Sequence, residues 1–150
     1  MKEAVIKIVD RHIADGEESI YELTSSGSFE KTEGGCKVVY SETDEEMADC
    51  VTTLTVEGSE KIIMSRVGKY STEMTIEKER RHSCFYSTPF GALMMGVYAT
   101  EIANEVGESG GTLRFSYTID FNNAPASENR LCITVAEKAA SVGGSNTQEE

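Results

Sequence analysis

The segment 61-KIIMSR-66 sets a guanidinium among apolar residues. In an extended chain successive side chains point to opposite faces, so Ile62, Met64 and Arg66 share one. A cation on the apolar face of a strand must be paired, must reach water, or must wait for an anion, because burying it alone costs several kcal/mol. Two readings follow. Arg66 snorkels to water at its strand end beside Gly68, or it clamps an anionic group of a ligand. The same rule turns Tyr70, Thr72, Met74 and Ile76 inward and leaves Glu73, Thr75 and Glu77 outside. In residues 81–88 it groups Cys84 and Tyr86 with His82 and Thr88, although His82 reads most simply as an exposed residue at a strand start. In residues 112–121 it sets Tyr117 in an apolar face with Leu113, Phe115, Ile119 and Phe121. The tyrosines are either core residues whose hydroxyls find local partners or the polar lining of a mouth. Cys84 and His82 are raw material for nucleophilic catalysis, yet their spacing supplies no orienting carboxylate.

Other chemistries lack their signatures. The chain has no G-x-S-x-G elbow, no glycine-rich phosphate loop and no H-E-x-x-H pair. Cys36, Cys50, Cys84 and Cys132 form no Cys-x-x-Cys pair, and His12 and His82 are the only histidines, so neither a metal nor a cofactor is expected. The acidic run 42-ETDEEMADC-50 lacks the glycine and ligand order of an EF-hand; it reads as a solvated loop or short helical turn with no binding role. A formal net charge of −12 argues against nucleic acids and anionic membranes as partners. The basic run 78-KERR-81 is interrupted by Glu79 and reads as a solvated turn. No apolar run approaches the ~18 residues of a transmembrane helix. The opening MKEAVIKIVD lacks a signal-peptide core, so a cytoplasmic protein is expected.

A chain of 150 residues suits one domain. Period-2 alternation marks strands at residues 4–10, 19–24, around Phe29, 36–42, 51–57, 61–66, 70–78, 81–88 and 112–121, and a last one through Leu131, Ile133 and Val135. The breakers between them are 15-DGEE-18, 25-SSG-27, 33-EGG-35, 57-EGSE-60, 107-GESGG-111 and a loop at 122-NNAPASEN-129. The stretch 87-STPFGALMMGVYAT-100 carries mixed signals. Thr88 before Pro89 resembles a helix start, and Phe90, Leu93, Met94 and Val97 have helical spacing. Gly91 and Gly96 weaken a helix, and the surrounding strands favour a turn at residues 89–91 followed by a strand. Leu93, Met95 and Val97 then share one face, and Met94 and Tyr98 the other. Both faces are apolar, so a loop, a terminal segment or a second subunit covers the outside, and residues 93–98 become a candidate homodimer surface. Gly96 permits a bend or a close approach. About ten strands with short connections and no βαβ unit predict an all-β, closed, antiparallel up-and-down barrel of about 8–10 strands. It is expected to fill residues 1–137, with a disordered acidic tail at 138–150.

Three segments, in order, carry a family likeness: 66-RVGKYSTEM-74, 86-YSTPFGALMMGV-97 and 117-YTIDFNNAPASEN-129 followed by an alternating strand. With the first strand and the hairpin 21-YELTSSGSFEK-31, the chain resembles the YwiB-like bacterial proteins, a family of unknown function. The resemblance implies a calycin-like, lipocalin-like barrel and brings no substrate. Where family members tend to carry a glycine before the Thr-rich strand, this chain has 47-MADC-50.

The expected function is non-enzymatic binding of a small apolar or anionic ligand. Met74, Phe115 and Tyr117 would form the inner wall, and Arg66, Tyr86 and Thr88 the polar mouth. The alternatives are a protein-interaction domain working through its outer surface, or an enzyme using Arg66, His82 or Tyr86.

Overall fold

The computed structural model describes residues 1–42, 50–68, 71–88 and 91–138, with the side chains of residues 86–88 left aside. Residues 43–49 of the acidic run, which take in all of 47-MADC-50 but Cys50, together with Tyr70, the turn at Pro89 and the tail from residue 139, lie outside the described residues. Ten strands are formed: β1 (Lys2–Ala14), β2 (Glu17–Thr32), β3 (Gly35–Glu42), β4 (Cys50–Glu57), β5 (Lys61–Val67), β6 (Thr72–Glu77), β7 (His82–Thr88), β8 (Gly91–Gly107), β9 (Gly110–Phe121) and β10 (Ala124–Glu137). Every ladder is antiparallel, and the order across the sheet is β6-β5-β4-β3-β2-β1-β10-β9-β8-β7. Sequence neighbours therefore pair, and the first strand pairs with the last. The two edges, β6 and β7, share no ladder; isolated bridges Glu77–Arg80, within the turn between them, and Lys78–Ala99, from just past the end of β6 to β8, leave the up-and-down barrel nearly closed.

Turn chemistry explains the hairpins. Asp15–Gly16 and Asn122–Asn123 hold positive φ at both central positions (53° and 75°, 54° and 69°). That geometry matches the right-handed twist of the flanking strands and favours Asn, Asp and Gly. The expected loop over residues 122–129 is thus only a two-residue turn, and β10 begins at Ala124 with a register shift between Pro125 and Ser127. The shift absorbs a proline that cannot donate to the ladder. The expected break at 25-SSG-27 is also corrected: β2 runs unbroken through it. Gly27 is needed there because a Cβ would lie 2.1 Å from the Val39 carbonyl oxygen. The glycine marks a close approach between strands, not a turn.

β8 resolves the ambiguous stretch as a strand of 17 residues. A bulge between Ala99 and Glu101 flips its alternation, so Met95, Val97 and Ala99 point inward before it and Ile102 and Val106 after it. Gly96 faces outward. A Cβ there would lie 2.2 Å from the Arg81 guanidinium, which crosses the strand to grip Asp120 at 2.7 and 2.9 Å.

Inward-facing Ile6, Phe29, Val38, Leu54, Val56, Ile62, Ile76, Leu113, Phe115 and Ile133 are almost wholly buried. They fill the barrel at its middle and at the β2–β3 end. Space remains at the other end, where the turns β1–β2 and β9–β10 emerge. Among the described residues no helix is long and apolar enough to cross a membrane.

Candidate functional site

Two rows of inward side chains face each other beneath that open end. The first follows the ladders β3 to β6, where Tyr40 pairs with Thr52, Thr52 with Arg66 and Arg66 with Thr72. The second follows β1, β10, β9 and β8, where His12 pairs with Asn129, Asn129 with Tyr117 and Tyr117 with Ala99. Antiparallel register brings each set to one level of the barrel wall.

In the first row Arg66 is already engaged. Its Nε donates to Glu42 Oε2 at 3.1 Å and lies 3.3 Å from Thr52 Oγ1, while Thr52 donates to the same carboxylate oxygen at 2.7 Å. The Glu42 side chain is 8% exposed and that of Arg66 28%, so the cation keeps contact with water while its partner does not. Burial works against the guanidinium charge, but the Glu42 carboxylate outweighs it and raises its pKa. Tyr40 and Tyr117 are both pushed well above the usual phenol range, chiefly by burial; Glu42 adds to it for Tyr40, and Asp10 for Tyr117. Both phenols therefore stay protonated and act as hydrogen-bonding groups.

The second row is held by amides. His12 Nδ1 lies 2.8 Å from Asn129 Oδ1, and Asn129 Nδ2 donates to Ser127 Oγ at 3.2 Å. When Nδ1 of His12 carries the proton, it donates to this amide oxygen and leaves Nε2 for other partners. One residue pair deeper, Asp10 has a buried Oδ1 without a partner among the described residues. Burial raises its carboxyl pKa, with His12 and Arg66 opposing and Glu42 adding.

Between the rows lies a cavity of about 350 Å³, lined by His12, Arg66, Thr72, Ser127 and Tyr117 on its polar side and by Met74, Met95, Ile119 and Phe121 on its apolar side. Three candidate residues from the sequence, Arg66, Met74 and Tyr117, meet here. Phe115 does not; it lies in the core below, its ring stacked on Tyr117 at 6.0 Å. Tyr86 and Thr88 belong to β7, opposite Leu93 and Gly91. His82 opens β7 as expected but is half-buried rather than exposed, with Nε2 2.7 Å from Glu77. Sequence reasoning missed Glu42, Thr52, His12 and Asn129. The signal for Glu42 was its parity with Val38 and Tyr40. For His12 it was parity with Ile6 and Ile8, and for Asn129 with Leu131 and Ile133.

A larger groove of about 500 Å³ runs outside the barrel beside the β9–β10 turn, past Arg81, Asp120 and Glu128. Arg81 and Asp120 are tied to each other there, so the inner cavity is the better candidate. Among the described residues no group of His, Cys, Asp and Glu side chains could hold a metal ion.

A ten-stranded antiparallel barrel, packed below and polar at one mouth, defines the class of protein. The family model described as "Domain of unknown function (DUF1934)" matches residues 6–133, and the chain belongs to that family. It is similar in fold to the crystal structure of ywiB protein from Bacillus subtilis, with a TM-score of 0.80 over 92% of this chain and 93% of that one, at 14% identity. No curated protein matches the chain.

Proposed function

We propose that the barrel binds a small, partly apolar ligand in the mouth cavity and does so without catalysis. The observation that supports this reading is the meeting of Arg66, Met74 and Tyr117 around one space of about 350 Å³. That size falls within the ~300–1,000 Å³ of small-molecule sites, and an apolar wall with a few polar groups is their usual make-up. Arg66, Glu42 and Thr52 are bonded to one another, as are His12, Asn129 and Ser127, and the described residues of the mouth hold no nucleophile aligned with a base, which favours binding over chemistry. Cytoplasmic residence is part of the proposal, supported by four cysteines that are all free. A thermal-shift and native mass-spectrometry screen tests it, with Met74→Trp as the cavity-filling control. A ligand that stabilises the wild type and not the variant is expected; equal shifts in both refute the reading.

A second reading, a homodimer through the outer face of β7–β8, draws on Phe85 (62% exposed) and its cross-strand neighbour Met94 (51%). β7 is also an edge of the sheet, and an edge strand with an apolar face invites pairing with a second copy. Light scattering of the wild type and Met94→Lys tests this: a dimer lost in the variant supports it, and a monomeric wild type ends it.

A further inference from the structure

Arg66 invites the idea of an anion clamp, but Glu42 occupies that role. We propose that Glu42 cancels the charge of Arg66 and so sets the cavity to take a ligand with an apolar body and a neutral polar head, a hydroxyl or carboxamide, in preference to a carboxylate. This rests on the reading of the cavity as a ligand site.

The argument is one of charge and desolvation. Among the described residues the one guanidinium on the cavity wall already holds a carboxylate at 3.1 Å, and that carboxylate takes a second hydrogen bond from buried Thr52. A carboxylate ligand would surrender its water to meet a cation whose charge is spent, an exchange that costs more than it returns. Asp10 adds a second carboxyl to the same field, felt by Arg66 and Tyr117. A neutral head escapes this repulsion. It finds donors and acceptors together on the wall: the Arg66 guanidinium, the second nitrogen of His12, and the hydroxyls of Thr72 and Ser127. Met74, Met95, Ile119 and Phe121 receive the apolar body. Glu42 is thus a specificity-determining residue that need not touch the ligand.

The test is isothermal titration of the full chain with octanamide, octanol, octanoate and octylamine, four probes that differ only in the head. The amide or the alcohol is expected to bind at least about tenfold more tightly than octanoate, a difference well within reach of titration. In Glu42→Gln, which keeps the shape and frees the Arg66 charge, octanoate is expected to gain about tenfold while octanamide changes little. Octanoate equal to or tighter than the neutral probes in the wild type overturns the inference and leaves the cavity reading standing. Octylamine as the tightest probe overturns it too, because Asp10 would then set the charge. Failure of all four overturns the cavity reading itself. If Glu42→Gln does not fold, the ranking of heads in the wild type still decides.

Discussion

Removing the Arg66 guanidinium should turn Glu42 from a satisfied partner into a buried, uncompensated charge. Arg66→Met keeps a long apolar stem and deletes the cation. Breaking a fully buried pair costs about 3–5 kcal/mol. Arg66 is 28% exposed, so water shares the work and the expected loss at pH 7 is about 2–3 kcal/mol. For a chain of this size that lowers Tm by about 4–12 °C. Adding Glu42→Gln removes the orphaned charge, and the double variant should recover at least half the loss, since a pair replaced by neutral groups is often as stable as the original. Urea denaturation of the four members of this cycle at pH 7 measures every term. If Arg66→Met costs under about 0.5 kcal/mol, or if the two substitutions simply add, the pair does not hold the mouth together and the reasoning fails.

Asp10 gives a prediction of opposite sign. Its folded pKa is raised by burial, so its ionisation opposes folding: the contribution is fully favourable below the unfolded carboxyl pKa and is lost as pH rises through the raised value. Asp10→Asn should therefore stabilise the protein at pH 7, with the gain vanishing near pH 4; a gain independent of pH in urea melts contradicts this. Two glycines should differ sharply. Gly27→Ala drives a Cβ into the Val39 carbonyl and should cost about 2 kcal/mol or more, because neither strand can yield. Gly96→Ala displaces only the flexible end of Arg81 and loosens a partly exposed ion pair, so its thermal melt should change by under about 1 kcal/mol of stability. The reverse order would refute the account of both positions.

Alternation made much of this barrel legible. It grouped Ile62, Met64 and Arg66 on one face of β5 and turned Met74 and Ile76 inward on β6, and the burial of Ile62, Met64, Met74 and Ile76 bears this out. It also favoured a strand for β8 against good helical spacing. It failed where strands end. An apolar criterion stops a strand at its last apolar residue, yet β1 continues to Ala14 and β10 already begins at Ala124, while β3 ends at Glu42 as expected. The mouth is built from polar strand ends: His12, Glu42 and Asn129 keep the inward parity of the apolar residues before or after them. Glu42 was further hidden because it opens a run of acidic residues and reads as solvated. Its partner could not be found from sequence, since β3, β4 and β5 must pair in a particular register before Glu42, Thr52 and Arg66 converge. Local breakers misled in a similar way, because 25-SSG-27 records a tight crossing against Val39 and not a turn.

The cavity reading is tested most directly by methyl NMR of the methionines during titration with octanamide. Met74 and Met95 line the space between the two rows, whereas Met94, next in sequence to Met95, points outward from β8. Saturable shifts at Met74 and Met95, with Met94 unmoved, are the predicted result. Shifts at Met94 alone, or none at Met74 and Met95 with any of the four probes, would contradict the claim that this barrel binds its ligand in the mouth.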